Sequence, residues 1–143
     1  MHEPNASLRC ACPNFPRIVC LCGSTRFWKT FQEASLRETL MGRIVLSVGC
    51  ATASDEDHGL TCDQKERLDE LHLQKIDLAD EVLVLNVGGY VGESTGNELA
   101  YALAGGKFVR TLEPMDLAAW LVERDKTMRE TAMRNLERSD HGD

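Results

Sequence analysis

Residues 82–102 read VLVLNVGGYVGESTGNELAYA. The stretch opens with a short apolar run, which fits a strand buried on both faces. Four glycines follow within nine residues, Gly88, Gly89, Gly92 and Gly96. The segment after them has the composition of a helix. Strand, glycine-rich loop and helix form the repeating unit of an open parallel sheet, which places ligands beyond the carboxyl ends of its strands. Free backbone N–H groups at a helix start favour anions, and the helix dipole favours an ionised carboxylate. Glu93 and Glu98 both lie at this junction, so chemistry is expected there.

The same alternation recurs on both sides of this stretch. Residues 17–22 (RIVCLC) are a short apolar run stopped by Gly23-Ser24 and read as a first buried strand. Residues 26–41 carry Phe27, Phe31, Ala34, Leu36 and Leu40 at helical spacing, and Gly42 ends that helix. IVLSV (44–48) is the second strand. Residues 49–61 are polar and irregular, and a loop of that length in a compact domain is usually functional or disordered. A helix is expected over 63–79, a third strand over 81–87, a helix over 96–105 and a fourth strand over 107–112. Asp116 is a plausible N-cap for a last amphipathic helix ending near Arg138. The order β-α-β-α-β-α-β-α implies a parallel sheet of four to five strands between helices. The division expected is a flexible tail over 1–16, one α/β domain over 17–138 and a frayed end over 139–143.

Composition narrows the class. A chain of 143 residues that is 43% hydrophobic and 27% charged fits one globular domain. No apolar run approaches the roughly 20 residues of a membrane span. Residues 1–16 lack the apolar core of a secretory signal. Sixteen basic against 23 acidic residues leave a net charge of −7, which argues against a broad nucleic-acid surface. Among six cysteines, Cys10/Cys12 and Cys20/Cys22 form C-x-C pairs. Zinc sites usually show C-x2-C or longer spacing. The expectation is therefore free thiols in a reducing cytoplasm, with no metal and no cofactor, and Cys20 and Cys22 acting as small buried residues.

Three constellations carry chemistry. The first is Gly23-Ser24-Thr25-Arg26, directly after the first strand. Hydroxyls, backbone N–H groups and a guanidinium fork suit a phosphate. The competing reading is a helix capped by Ser24 or Thr25 with a surface arginine. The second is the loop itself, with Gly89, Tyr90, Gly92, Ser94 and Asn97 as binding candidates. Paired carboxylates such as Glu93 and Glu98 serve glycosyl chemistry, one as nucleophile and the other as acid. The competing reading makes Thr95-x-x-Glu98 a capping box. The third is HLQKIDLAD (72–80), where Asp77 could reach the loop, Asp80 reads as a solvated helix end, and His72 reads as a core histidine.

CGSTR after the first strand, DLAD before the third and ELAYA at 98–102 together resemble the nucleoside 2-deoxyribosyltransferase-like superfamily, over roughly 17–113. The closest likeness is to its nucleoside 5′-monophosphate N-glycosidases. The resemblance implies a flavodoxin- or Rossmann-like three-layer sandwich and a homodimer or higher oligomer. It also implies cleavage of the N-glycosidic bond of a nucleotide or nucleoside. Glu98 would be the nucleophile, Ser24 and Arg26 would hold a 5′-phosphate, and Glu93 falls near the superfamily's second acidic position. The superfamily's helix aspartate falls on His72, with Asp77 the nearest acid. The loop GGYVGESTGNE is also similar to the P-G-G-x-G-T-x-x-E motif of cytokinin-activating phosphoribohydrolases, which split the same bond.

The expected mechanism has the phosphate at the start of the first helix and the base against Phe27 or Tyr90. Glu98, kept ionised by its helix N-terminus, attacks the anomeric carbon while Glu93 or Asp77 protonates the base. Alternatives are a deoxyribosyltransferase acting on unphosphorylated nucleosides, or a nucleotide sensor that binds without turnover. The last helix, with Leu117, Trp120, Leu121, Met128, Ala132 and Leu136 at helical intervals, and the helix after Gly96 are expected to contribute to a subunit interface.

Overall fold

The structure is a computed structural model that describes residues 12–48 and 60–140; all but the end of the expected 49–61 loop lies outside the described residues. The elements are β1 (Ile18–Cys22), α1 (Trp28–Leu40), β2 (Ile44–Leu46), α2 (Cys62–Leu78), β3 (Glu81–Val84), α3 (Glu93–Ala104), β4 (Phe108–Thr111) and α4 (Leu117–Asp140). Short 3-10 turns cover Thr25–Phe27 and Val87–Gly89. The chain divides into two compact units, one ending at Glu113 and one beginning at Pro114.

The first unit is an α/β sandwich. Its four strands are all parallel, in the order β2-β1-β3-β4. Period-two alternation sorts the side chains of β1 and β3 between two faces. Val19, Leu21, Leu83 and Leu85 pack with Phe31 and Ala34 of α1. Cys20 and Cys22 of β1 alternate to the other face, where α2 and α3 pack. The result is a Rossmann- or flavodoxin-like three-layer fold. Both central strands are wholly buried, as their apolar runs require. Truncating a buried leucine such as Leu21 to alanine is expected to cost about 2–5 kcal/mol.

Chain direction across the sheet reverses between β1 and β3. From β1 the chain passes to β2 on one side, whereas β3 and β4 lie on the other. Loops after β1 and β3 therefore leave in opposite directions and open a crevice, the switch point at which open α/β sheets bind ligands. Both glycine-containing loops singled out in the sequence stand there.

The opposite edge of the sheet is closed by charge. Glu38, at the end of α1, is buried and bonds to Arg43 and Arg110. Glu81, the first residue of β3, bonds to Arg110 at 2.9 Å and Arg17 at 3.0 Å. Asp80 accepts a 2.7 Å hydrogen bond from the Ile18 N–H and so fixes the start of β1. It is a tie within the fold rather than a solvated helix end.

Asp116 caps α4 as expected, its carboxylate accepting from the Ala119 N–H at 3.0 Å. The helix runs 24 residues and has no buried residue. Among the described residues no helix is long and apolar enough to cross a membrane.

Candidate active site

The loop after β1 turns immediately. Gly23 sits in a tight space: a Cβ there would lie 3.1 Å from Leu85 Cβ and 3.4 Å from Phe31, so both would have to shift. Residues 25–27 form a 3-10 turn, and α1 starts at Trp28 rather than Arg26. Ser24 precedes that turn in extended conformation and makes no side-chain cap bond. The capping reading thus lacks its hydrogen bond at Ser24.

The loop after β3 folds back over this turn. Gly88 and Gly89 have φ of +63° and +79°, a region that other residues rarely adopt. They turn the chain so that Tyr90 meets the first loop. Arg26 Nη2 donates to Tyr90 Oη at 3.4 Å, and its guanidinium carbon lies 4.7 Å from the Tyr90 ring centre. Phe27 meets the same ring edge-on, with centroids 6.1 Å apart. Arg26, Phe27 and Tyr90, chosen separately from the sequence, therefore form one cluster at the mouth of the crevice.

Helix α3 begins at Glu93, with Gly92 as N-cap, three residues before the expected start. This shift changes the reading of both carboxylates. Glu98 is in the second turn, so the capping box proposed for Thr95 and Glu98 does not form; Thr95 is itself a buried helical residue. Glu93 and Glu98 differ by five residues, about 140° around a helix. They do not share one face: Glu93 is exposed in the first turn, where its charge suits the dipole, and Glu98 turns toward the protein. Ser94 and Asn97 are also exposed on this helix.

Glu98 meets a group of residues from two other elements. Its Oε2 lies 3.7 Å from Nε2 of His72 on α2, with the two side chains 14% and 6% exposed. Nε2 of His72 is 3.3 Å from Cys22 Sγ and 3.9 Å from Cys20 Sγ. Thus β1, α2 and α3 converge on a cluster of buried Cys20, Cys22 and His72 with the largely buried Glu98. Among the described residues, no hydrogen bond reaches His72 Nδ1 or Glu98 Oε2. His72 is therefore not the satisfied core histidine expected.

The electrostatics of the cluster follow from burial. Desolvation pushes the Glu98 carboxyl up to about 7, partly opposed by the charge of His72. The helix N-terminus does not hold it fully ionised at neutral pH. The Cys22 hydrogen bond pulls the Cys20 thiol down to about 6 against desolvation, with help from His72. That bond, together with burial, pushes Cys22 well up. Desolvation would depress His72, but its bond to Cys20 and the charge of Glu98 outweigh that and raise it.

Asp77 lies elsewhere. It accepts hydrogen bonds from Tyr101 Oη at 2.8 and 3.0 Å, near the end of α2 that leads into the start of β3. That is the edge of the sheet opposite the loops, so it is not brought to the mouth beside Glu98. Cys20 and Cys22 are not among the expected site residues, and His72 is reached from the sequence only through the resemblance, at the position of the superfamily's helix aspartate. The period-two spacing of the cysteines was the available signal. No protein-family model matches this chain, and no curated protein matches it.

Proposed function

We propose that the protein is an N-glycosidase that cleaves the bond between base and sugar in a nucleoside 5′-monophosphate. The observation that carries this reading is Glu98, presented from α3 beneath the crevice between β1 and β3 and held by His72 at 3.7 Å. The chemistry of the mouth supports it. Ser24, Thr25 and Arg26 offer hydroxyls and a guanidinium to a phosphate. Phe27 and Tyr90 offer aromatic faces and edges to a base.

In this reading the phosphate sits on the turn after β1, which aims the anomeric carbon at Glu98. The carboxylate form of Glu98 attacks that carbon as the glycosidic C–N bond breaks and the base leaves with the bonding electrons. Glu93, exposed at the start of α3, is the acid nearest in sequence that can supply a proton to the base. Water then hydrolyses the glycosyl ester, releasing the sugar phosphate and regenerating Glu98. A second base in place of water gives transfer. His72 acts as a positioning residue: it stands where the resembling superfamily has its helix aspartate, and it orients the Glu98 carboxyl.

The test is a screen of nucleosides and their 5′-monophosphates, following free base by chromatography. Release of base from a monophosphate supports the reading. Binding without release would make the protein a sensor of the same fold.

A further inference from the structure

We infer that Cys20, Cys22, His72 and Glu98 form a zinc-binding site, with two thiolates, one imidazole and one carboxylate as ligands. The thiol and imidazole donors come from three buried residues, and their ligand atoms all lie within 4.8 Å of one another. A tetrahedral zinc with bonds of about 2.3 Å to sulfur and 2.0–2.1 Å to nitrogen has S···N edges of roughly 3.6 Å. The observed separations of 3.3 and 3.9 Å bracket that value. Glu98 lies outside that group of three, but its Oε2 stands 3.7 Å from His72 Nε2, close to the roughly 3.4 Å edge expected between nitrogen and oxygen ligands, and we assign it as the fourth donor.

The strand explains why C-x-C suffices. Residues i and i+2 of a strand point to the same face, about 6.6 Å apart along the backbone. Both cysteines therefore face α2 and α3 without the turn that a C-x2-C knuckle needs. An independent observation points to a ligand as well. Glu98 Oε2 is buried and, among the described residues, receives no hydrogen bond. A buried carboxylate oxygen without a hydrogen bond is costly even beside His72 at 3.7 Å, and a cation between it and the thiolates satisfies it. Paired thiolates with imidazole select zinc over magnesium or calcium, which take oxygen ligands. With two thiolates and one carboxylate around a divalent ion the site carries a net charge of −1.

This inference concerns metal coordination and does not depend on the proposed glycosidase. The two readings meet at Glu98: a carboxylate bound to zinc is not available as a nucleophile. In a functioning glycosidase, zinc would therefore inhibit, and a chelator would restore base release.

The experiment is a cobalt(II) titration of the full chain, prepared reduced and metal-free. Cobalt serves as the spectroscopic probe for the zinc site. One equivalent is expected to give thiolate-to-cobalt charge-transfer absorption and the intense visible bands of a tetrahedral ion, and one equivalent of zinc is expected to bleach them. Cys20→Ser and Cys22→Ser should each abolish the tetrahedral spectrum, whereas Cys12→Ser and Cys62→Ser, at exposed thiols, should leave it intact. Glu98→Gln should retain charge transfer but weaken binding by roughly tenfold or more. Zinc should also raise the melting temperature of the wild-type chain and of the two exposed-cysteine variants. Absence of thiolate charge transfer in the wild-type chain overturns the inference. So does a tetrahedral spectrum that survives in both Cys20→Ser and Cys22→Ser, whichever of the other four cysteines carries it.

Discussion

Replacing Glu38 with glutamine should destabilise the fold by an amount that disappears in acid. The Glu38 side chain is 1% exposed and faces Arg43 and Arg110, which are 24% and 32% exposed. Glutamine keeps the shape but exchanges two charge-assisted hydrogen bonds for neutral ones. Bonds to charged groups contribute about 1.5–3 kcal/mol and neutral ones about 0.5–1.5, so the loss is about 2 kcal/mol. The partly open arginines limit the penalty, because water solvates them when the charge is gone. For a domain of this size that corresponds to a fall in Tm of roughly 6–10 °C. Burial by itself would raise the Glu38 carboxyl, but the hydrogen bonds and charges of Arg110 and Arg43 outweigh it and hold the group below its ordinary value. A carboxylate depressed in the folded state contributes stability above its unfolded pKa and loses it as pH falls through the folded one. Wild type and Glu38→Gln should therefore differ in Tm by a constant amount from pH 7 to about 5, and the gap should close as pH falls below the ordinary glutamate range, near 4.3. Calorimetry across pH 3–7 measures this. A gap that is absent at neutral pH, or that persists undiminished at pH 3, refutes the reasoning.

Other predictions test the site. Arg26→Ala should raise KM for a 5′-monophosphate by roughly 10- to 100-fold, the equivalent of one charge-assisted contact, and leave cleavage of the unphosphorylated nucleoside unchanged; equal effects on both substrates would remove the phosphate role. Asp77→Asn should leave base release within about twofold of wild type, since Asp77 is bonded to Tyr101 at the other edge of the sheet; a large loss of kcat would return it to the mechanism. Helix α4 exposes Val122, Met128, Met133 and Leu136. The expected oligomer should therefore appear in light scattering at micromolar concentration as a multiple of the 15.9 kDa chain mass, and a monomer mass would refute it.

Some of this was legible in residues alone. IVCLC reads as a doubly buried strand because it is apolar at every position, and β1 is buried throughout. Element ends were less legible. The run EVLVLNV suggests seven residues of strand, but β3 ends at Val84, where its partners Cys22 and Thr111 end their own strands. Gly96 made α3 look as if it began late, because glycine disfavours a helix interior; here Gly92 is the N-cap and Gly96 is buried within the helix. That shift of three residues removes the competing reading of Glu98 as a cap and leaves it a largely buried carboxyl in the second turn. The order of elements could have placed Asp77 correctly, since a residue preceding β3 lies at the strand's start and the loops lie at its end. The meeting of His72 with Cys20 and Cys22 was not legible. It depends on the rotation of α2 against the sheet, which local pattern does not encode.

The measurement that bears most directly on the central claim is release of free base from a nucleoside 5′-monophosphate by wild type and by Glu98→Gln, each shown to be folded by its melting transition. The account predicts release by the wild-type chain and loss of at least 100-fold in kcat, about 2.7 kcal/mol, in Glu98→Gln with little change in nucleotide affinity. Turnover retained in Glu98→Gln, or no release by wild type from any monophosphate that it binds, would contradict it.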